Sequence, residues 1–243
     1  MNPFSDRIAV DWPQTLERVL GLATQNAGQA VLAFDLDSTV FDNRPRQARI
    51  LREFGAERSI AELRRTQAFH FVNGWDLRAA CVAAGMTPAD ADSLYRDLKS
   101  YWGARFFTSA YCRHDIEIVG APRFLQACSK AGARIMYVTG RHEAMREGSI
   151  EAMARCGMPL PGPRVGLLMK PTSREDDDSF KRVAHQLLSE LGVLVAAFDN
   201  EPTHINDYAA RFADCVPVHL ATDHSGRDVA LAERVVSIPH FAW

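Results

Sequence analysis

The stretch Val31-Leu32-Ala33-Phe34-Asp35-Leu36-Asp37-Ser38-Thr39-Val40-Phe41 decides the fold. Its four leading apolar residues fit a strand buried on both faces, and the run stops at two carboxylates spaced two apart. Acids at the carboxyl end of such a strand stand at the edge where open α/β sheets bind ligands. In an extended chain Asp35 and Asp37 share one face. Once the chain turns, one carboxylate is free to ligate a cation while the other reaches a leaving group. Asp and Ser also favour turns for local hydrogen-bonding reasons, so the stretch alone fits a plain strand-and-turn equally well, and segments further along decide between the two.

Upstream, Leu16, Val19, Leu20 and Leu22 recur at helical spacing from Pro13 to about Gln29, with Gly28 as a stop. Downstream, from roughly Arg44 to Tyr111, amphipathic helical segments are punctuated by Gly55, Gly74, Gly85 and Pro88, with little strand signal. Thr87-Pro88-Ala89-Asp90 reads as an N-cap, a proline at the first helical position and an acid in the first turn. Strand-helix alternation resumes near Asp115. A helix opens at Gly120-Ala121-Pro122 and runs through Lys130, and the strand Arg134 to Val138 ends in Thr139-Gly140-Arg141. A helix near Glu143 to Cys156 follows, then a strand Val165 to Met169 ending at Lys170, and a helix over about 177–191. Val193 to Phe198 is a fully apolar strand with Asp199-Asn200-Glu201 at its tip, and a short strand Cys215 to Leu220 precedes a polar tail. This alternation predicts an α/β fold with a doubly wound parallel sheet. The core is expected over residues 1–43 and 114–243, with a small helical module over 44–113 inserted after the first strand.

The 243 residues are 47% hydrophobic, which is the composition of a packed globular protein. Lys+Arg 28 against Asp+Glu 30 leaves a formal charge of -2, so no basic surplus argues for nucleic acid or an anionic membrane as partner. A small polar substrate is easier to justify. Cys81, Cys112, Cys128, Cys156 and Cys215 are scattered, with no CxxC pair, and read as reduced thiols. The first residues lack a basic-then-apolar secretory pattern and no apolar run nears the ~20 residues of a membrane span. Cytoplasmic location is the expectation. Oligomeric state is not legible.

Three apolar strands thus end in reactive polar residues: Phe34 into Asp35, Val138 into Thr139, and Phe198 into Asp199. Parallel and adjacent, these tips converge on one crevice. Asp35 and Asp199 then offer oxygen ligands to one hard cation, which suits Mg²⁺, an ion that takes few carboxylates and keeps several waters. Thr139 offers a hydroxyl and nearby N–H groups for an anion, and a lysine completes the charge balance.

Asp35-Leu36-Asp37-Ser38-Thr39, Thr139-Gly140-Arg141, a downstream lysine and Asp199-Asn200 resemble, in order and placement, the four motifs of the haloacid dehalogenase-like hydrolases. The resemblance covers about residues 28–42 and 114–220, and the helical insert is similar to that family's C1-type cap in position and helical character. The resemblance implies a Mg²⁺-dependent phosphomonoester hydrolase acting on a small phosphorylated metabolite. Asp35 would be the nucleophile that forms an aspartyl-phosphate. Asp37 would protonate the leaving alkoxide, then deprotonate the hydrolytic water, and lend its backbone carbonyl to the metal. An acid at this position goes with phosphoryl chemistry rather than with C–Cl cleavage. Thr139, Gly140 and Arg141 would bind the phosphoryl group, and Asp199 with Asn200 would anchor Mg²⁺. Lys170 and Lys181 compete for the lysine role, with Lys181 preferred for its place near the start of the helix that leads into the Asp199 strand. Asn200-Glu201 replaces the commoner second acid, leaving Asn200, Glu201 and Asp207 as choices for the further metal contact.

Arg44 and Arg46 follow the first motif and are either solvated or meet a second anionic group of the substrate. Trp75, Trp102, His70, Arg78, Arg105 and Arg113 are either insert core and surface or specificity residues. His204, His219, His224 and His240 show no zinc spacing, and Thr222 to Gly226 carries no assigned chemistry. The alternatives to a small-molecule phosphatase are a phosphotransferase or phosphomutase on the same residues, a polynucleotide or nucleotide phosphatase, and a non-enzymatic phospho-accepting protein.

Overall fold

Strand β1 (Ala30–Phe34) lies in the middle of a six-stranded sheet in a computed structural model that describes residues 4–243. Its neighbours are β4 (Arg134–His142) and β6 (Val193–Asp199). Beyond β4 comes β5 (Val165–Lys170), and beyond β6 come β7 (Val216–Leu220) and β8 (Val236–Ile238), all parallel. All five residues of β1 are buried, as befits a strand covered by helices on both faces. The sheet order 5-4-1-6-7-8 changes direction beside β1, which places the tips of β1, β4 and β6 at the switch point where such sheets bind ligands.

One face packs on α1 (Trp12–Gln25), α6 (Ala121–Lys130) and α7 (Arg146–Arg155), the other on α8 (Asp177–Leu191) and α9 (Pro202–Arg211). Phe34 illustrates the first layer. Its ring stacks on Phe198 with centroids 4.6 Å apart and meets Phe124 edge-on at 6.4 Å. Truncating such a buried ring costs about 3–5 kcal/mol, so the same residues that end the strands also fix them side by side.

Two features differ from the sequence expectation. Strand β4 continues through Thr139-Gly140-Arg141 to His142, with an irregular register against β5 after Thr139. The segment read as a polar tail contains β8, whose three residues are too short to show a period.

The chain leaves and re-enters the core through a two-stranded antiparallel neck, β2 (Phe41–Asp42) against β3 (Ile116–Glu117). Between them lie α2 (Arg44–Glu57), α3 (Leu77–Ala83), α4 (Pro88–Phe106) and α5 (Ser109–Cys112). Helix α4 starts as its sequence demands, the Thr87 hydroxyl accepting from the Asp90 N–H at 3.2 Å. These helices enclose a separate apolar cluster that includes Ile50, Phe54, Leu77, Leu98 and Trp102. Among the described residues no helix is long and apolar enough to cross a membrane, and all five cysteines are free thiols.

His185 and His219 are buried in the core, and burial holds each imidazole at a pKa of about 4. The folded values lie below the ordinary 6.5, so the unfolded chain binds the extra protons. Stability that is present above pH ~6.5 is therefore lost as pH falls toward ~4, by at most about 3 kcal/mol per histidine. Urea midpoints measured from pH 7.5 to 4 should fall through this window, and His219→Gln should make the fall shallower. A flat profile would contradict the burial argument.

Candidate active site

A cavity of ≈ 300 Å³ opens at the tips of β1, β4 and β6. Its floor includes Asp35, Asp37, Gly140, Arg141, Lys181, Asp199 and Asn200, so seven of the residues singled out from the sequence come together. Asp35 and Asp199 end neighbouring strands, and the Lys181 ammonium joins them, donating to Asp35 Oδ1 at 2.9 Å and Asp199 Oδ2 at 2.7 Å. Lys181 reaches this point from the fifth position of α8, a helix whose N-cap Asp176 accepts from the Ser179 N–H. All three groups are buried. Burial pushes the Asp35 carboxyl up to about 7, assisted by the charges of Asp199 and Asp37 and opposed by Lys181. Burial also opposes ionisation of Asp199, but Lys181 and His204 outweigh it and hold that carboxyl well below its usual range.

Asp37 lies in a different environment. Its Oδ1 accepts from Asn43 at 3.0 Å, Arg46 at 2.9 Å and Arg141 at 2.6 Å, while Oδ2 accepts from Arg141 Nε at 3.0 Å. Asp115, fully buried at the return of the insert, pairs with the same two guanidiniums at 2.8 and 2.7 Å. Two acids and two arginines therefore form one cluster that joins α2 and β4 to the strand-end turn. Burial disfavours charge on Asp37, but Arg141 and Arg46 reverse the balance and hold its carboxyl far below the usual range. The sequence reading missed Asp115 because a lone acid before a short strand carries no pattern.

The turn between Asp35 and Phe41 is built by its own polar groups. Ser38 sits at φ 57, the left-handed region, and its N–H donates to the Phe41 carbonyl at 2.7 Å. Thr39 Oγ1 lies 3.2 Å from Asp35 Oδ2 and 3.1 Å from Asn200 Oδ1, so these two oxygens lean toward a common point. Among the described residues no group of three or more His, Cys, Asp or Glu is disposed to hold a metal ion. The donors at the strand tips are two carboxylates and an amide oxygen, with no thiolate, a set suited to a hard cation that keeps most of its water.

Other residues from the sequence reading lie elsewhere. Thr139 is fully buried, its Oγ1 accepting from the Arg141 N–H at 3.2 Å, and it does not line the cavity. Lys170 is engaged by Asp177 and the Glu175 carbonyl. Arg44 pairs with Asp42 at 2.7 Å outside the cavity, and Arg46 is buried in the four-charge cluster. Asp207 is paired with Arg182 rather than placed at the strand tips. Trp102 belongs to the insert core, while Trp75 faces the cavity; Arg78 and Arg105 pair with acids of the insert.

Further residues complete the lining. A Cβ at Gly140 would sit 2.5 Å from Asp177 Oδ2, so a larger residue there would displace that carboxylate. His204 bonds to Asp178 at 2.8 Å and stands 3.6 Å from Asp199; burial and Lys181 oppose its charge, but the two acids raise its pKa. The loop 222–226 contacts the site closely. Ser225 donates twice to Glu201, Asn200 donates to the Asp223 carbonyl, and Asp223 Oδ2 accepts the Gly74 N–H at 2.9 Å, tying loop to insert.

No family profile matches this chain, and no curated protein sequence matches it either. Solved structures do. A proposed phosphatase from Clostridium difficile is 13% identical, covers 82% of this chain and 88% of its own, and superposes with a TM-score of 0.51. A haloacid dehalogenase-like family hydrolase from Streptococcus pneumoniae is 10% identical over 86% and 93% of the two chains, with a TM-score of 0.46. CbbY from Rhodobacter sphaeroides is 17% identical over 88% and 95%, also at 0.46. At such identities the likeness is one of fold. The chain's own architecture is α/β, a six-stranded parallel sheet with a helical insertion between β1 and β4.

Removing Asp115 leaves two buried guanidiniums sharing the single carboxylate of Asp37, and breaking a buried pair in this way costs about 3–5 kcal/mol. Asp115→Ala should lower stability by that amount, whereas Ser149→Ala, which removes one hydrogen bond to Arg141, should cost only about 1 kcal/mol. Urea denaturation of the two variants checks this. Equal losses would mean that the cluster is not a connected unit.

Proposed function

We propose that this protein hydrolyses phosphate monoesters through an aspartyl-phosphate on Asp35. The observation that carries the reading is the Lys181 bridge between Asp35 and Asp199 at adjacent strand tips within a small cavity. A nucleophilic carboxylate must approach a phosphoryl group that is itself negative, and an ammonium at hydrogen-bonding distance lowers that repulsion. In the first step an Asp35 oxygen bonds to phosphorus and the ester P–O bond breaks, its electrons leaving with the alcohol oxygen. In the second, water attacks phosphorus and gives up a proton to solvent, the bond from phosphorus to the Asp35 oxygen breaks, and inorganic phosphate and the Asp35 carboxylate are released; that proton balances the one the departing alkoxide takes up.

Asp35, Asp199 and Asn200 are the oxygen donors that would hold Mg²⁺, which supplies charge neutralisation at the phosphoryl oxygens when bound. The helical insert, residues 44–113 in this reading, forms the roof of the cavity and is its cap, and Lys181 takes the lysine role ahead of Lys170. Two arginines hold Asp37 ionised and make its carboxylate a weak base, so at rest it fits the part of a water-orienting group better than that of a proton donor. Donation to a leaving alkoxide would require substrate to loosen those pairs first.

Asp35→Asn should abolish turnover of small phosphate esters, by at least about a thousandfold, with the fold retained in circular dichroism. Lys181→Met should lower kcat by a factor of about a hundred or more. EDTA should silence the enzyme and Mg²⁺ restore it, and Mg²⁺ should raise the melting temperature of wild type more than that of Asp199→Ala. Near wild-type turnover by Asp35→Asn would remove this mechanism, and equal Mg²⁺ stabilisation of both proteins would remove the metal assignment.

A further inference from the structure

The roof of the cavity speaks to the substrate. Four residues of the insert line it: Trp75, Lys99, Phe106 and Phe107. Three are aromatic. Among the described residues the insert places no Asn, Gln, Ser, Thr, Asp or Glu in the lining, so a hydroxyl-rich alcohol such as a polyol or sugar would find few partners there for the water it gives up. The aromatics form one connected edge. Phe106 stacks on Trp102 at 4.5 Å, Phe107 meets Phe106 at 5.1 Å, and Trp75 meets Phe106 at 6.0 Å. Trp75 and Phe107 remain 39% and 41% exposed although both are large and apolar, and the cavity is where that surface has a use. Met145 extends the apolar wall from the core side.

Lys99 differs from the other cations of the cavity. Lys181, Arg141 and Arg227 are all matched by carboxylates. Among the described residues no acid pairs with Lys99, whose ammonium lies 4.4 Å over the Trp102 ring and is partly buried, an environment that lowers its pKa. A partly desolvated, unmatched cation beside an aromatic wall is suited to an anionic group brought by a ligand.

We propose that the substrate is a phosphate monoester of a small flat aromatic body carrying a second negative group, with the ring against Trp75 and Phe107 and the negative group at Lys99. A volume of ≈ 300 Å³ suits a single-ring compound. The proposal rests on the phosphomonoesterase reading for the site at the floor, but the recognition it describes is separable from turnover.

Butyl, benzyl and 4-carboxybenzyl phosphates share a primary-alcohol leaving group, so their intrinsic reactivities are close and differences report binding of the body. With Mg²⁺ and wild-type protein, kcat/KM should rise about tenfold from butyl to benzyl and about fivefold more with the carboxylate. Trp75→Leu and Phe107→Leu, which keep apolar bulk but lose the flat face, should each shrink the benzyl-to-butyl ratio. Lys99→Met should erase the gain from the carboxylate. Calorimetric binding of butylphosphonate, benzylphosphonate and 4-(phosphonomethyl)benzoate, which cannot be hydrolysed, should give the same order. Absence of turnover with all three esters would sink the phosphatase reading alone, while the phosphonates still decide this one. Equal affinity for butyl and benzyl compounds, or a ratio unmoved by both wall variants, would overturn the proposal.

Discussion

A single ammonium group holds the centre of this structure. Asp35 and Asp199 are placed side by side because β1 and β6 pair in parallel with Phe34 opposite Phe198, and two buried carboxylates so placed repel each other strongly in a medium less polarisable than water. Lys181 removes the repulsion by bonding to both. The sheet order, the entry of α8 and the burial of the site all have to agree for that bridge to form. A buried lysine of this kind is costly unless fully paired, and here the pairing is complete.

The two acids of the opening motif, two residues apart, live under opposite electrostatic rules. Asp35 is raised by burial against a compensating lysine, and Asp37 is lowered by two arginines. Environments that push neighbouring carboxyls apart are how one small site comes to contain groups in different protonation states. The arginines responsible come from β4 and from the insert, so Asp37 is where core and insert share one charge cluster.

Much of this was legible in the chain. The strand tips could be read because buried parallel strands are continuous apolar runs, and a polar residue ending such a run stands out, as at Asp35 and Asp199. Lys181 was preferred over Lys170 from its place near a helix start, and the structure puts Lys181 between the two acids and Lys170 against Asp177. Most of what could not be read depends on contacts between distant segments. Arg46 looks like a surface arginine until Asp115, 69 positions on, meets it in the interior. Asp223 and Glu201 acquire partners only when loop 222–226 folds back. Thr139 is expected from the sequence to bind the anion, but in this structure β4 extends past it and its buried hydroxyl accepts the Arg141 N–H outside the cavity lining. The strand β8 and the neck β2–β3 are too short for any period to reveal.

The attachment of the insert is unequal on its two sides. At the neck it is fixed by two buried guanidiniums that cannot lose their carboxylates without heavy loss of stability. Across the cavity, beside Trp75, it meets the core through the hydrogen bond from Gly74 to Asp223 on an irregular loop, an interaction worth about 1 kcal/mol. The two attachments therefore differ in kind: the root is held by charge buried from water, and the rim beside Trp75 by one hydrogen bond to a loop, so the Arg46–Asp115 side is the stiffer of the two.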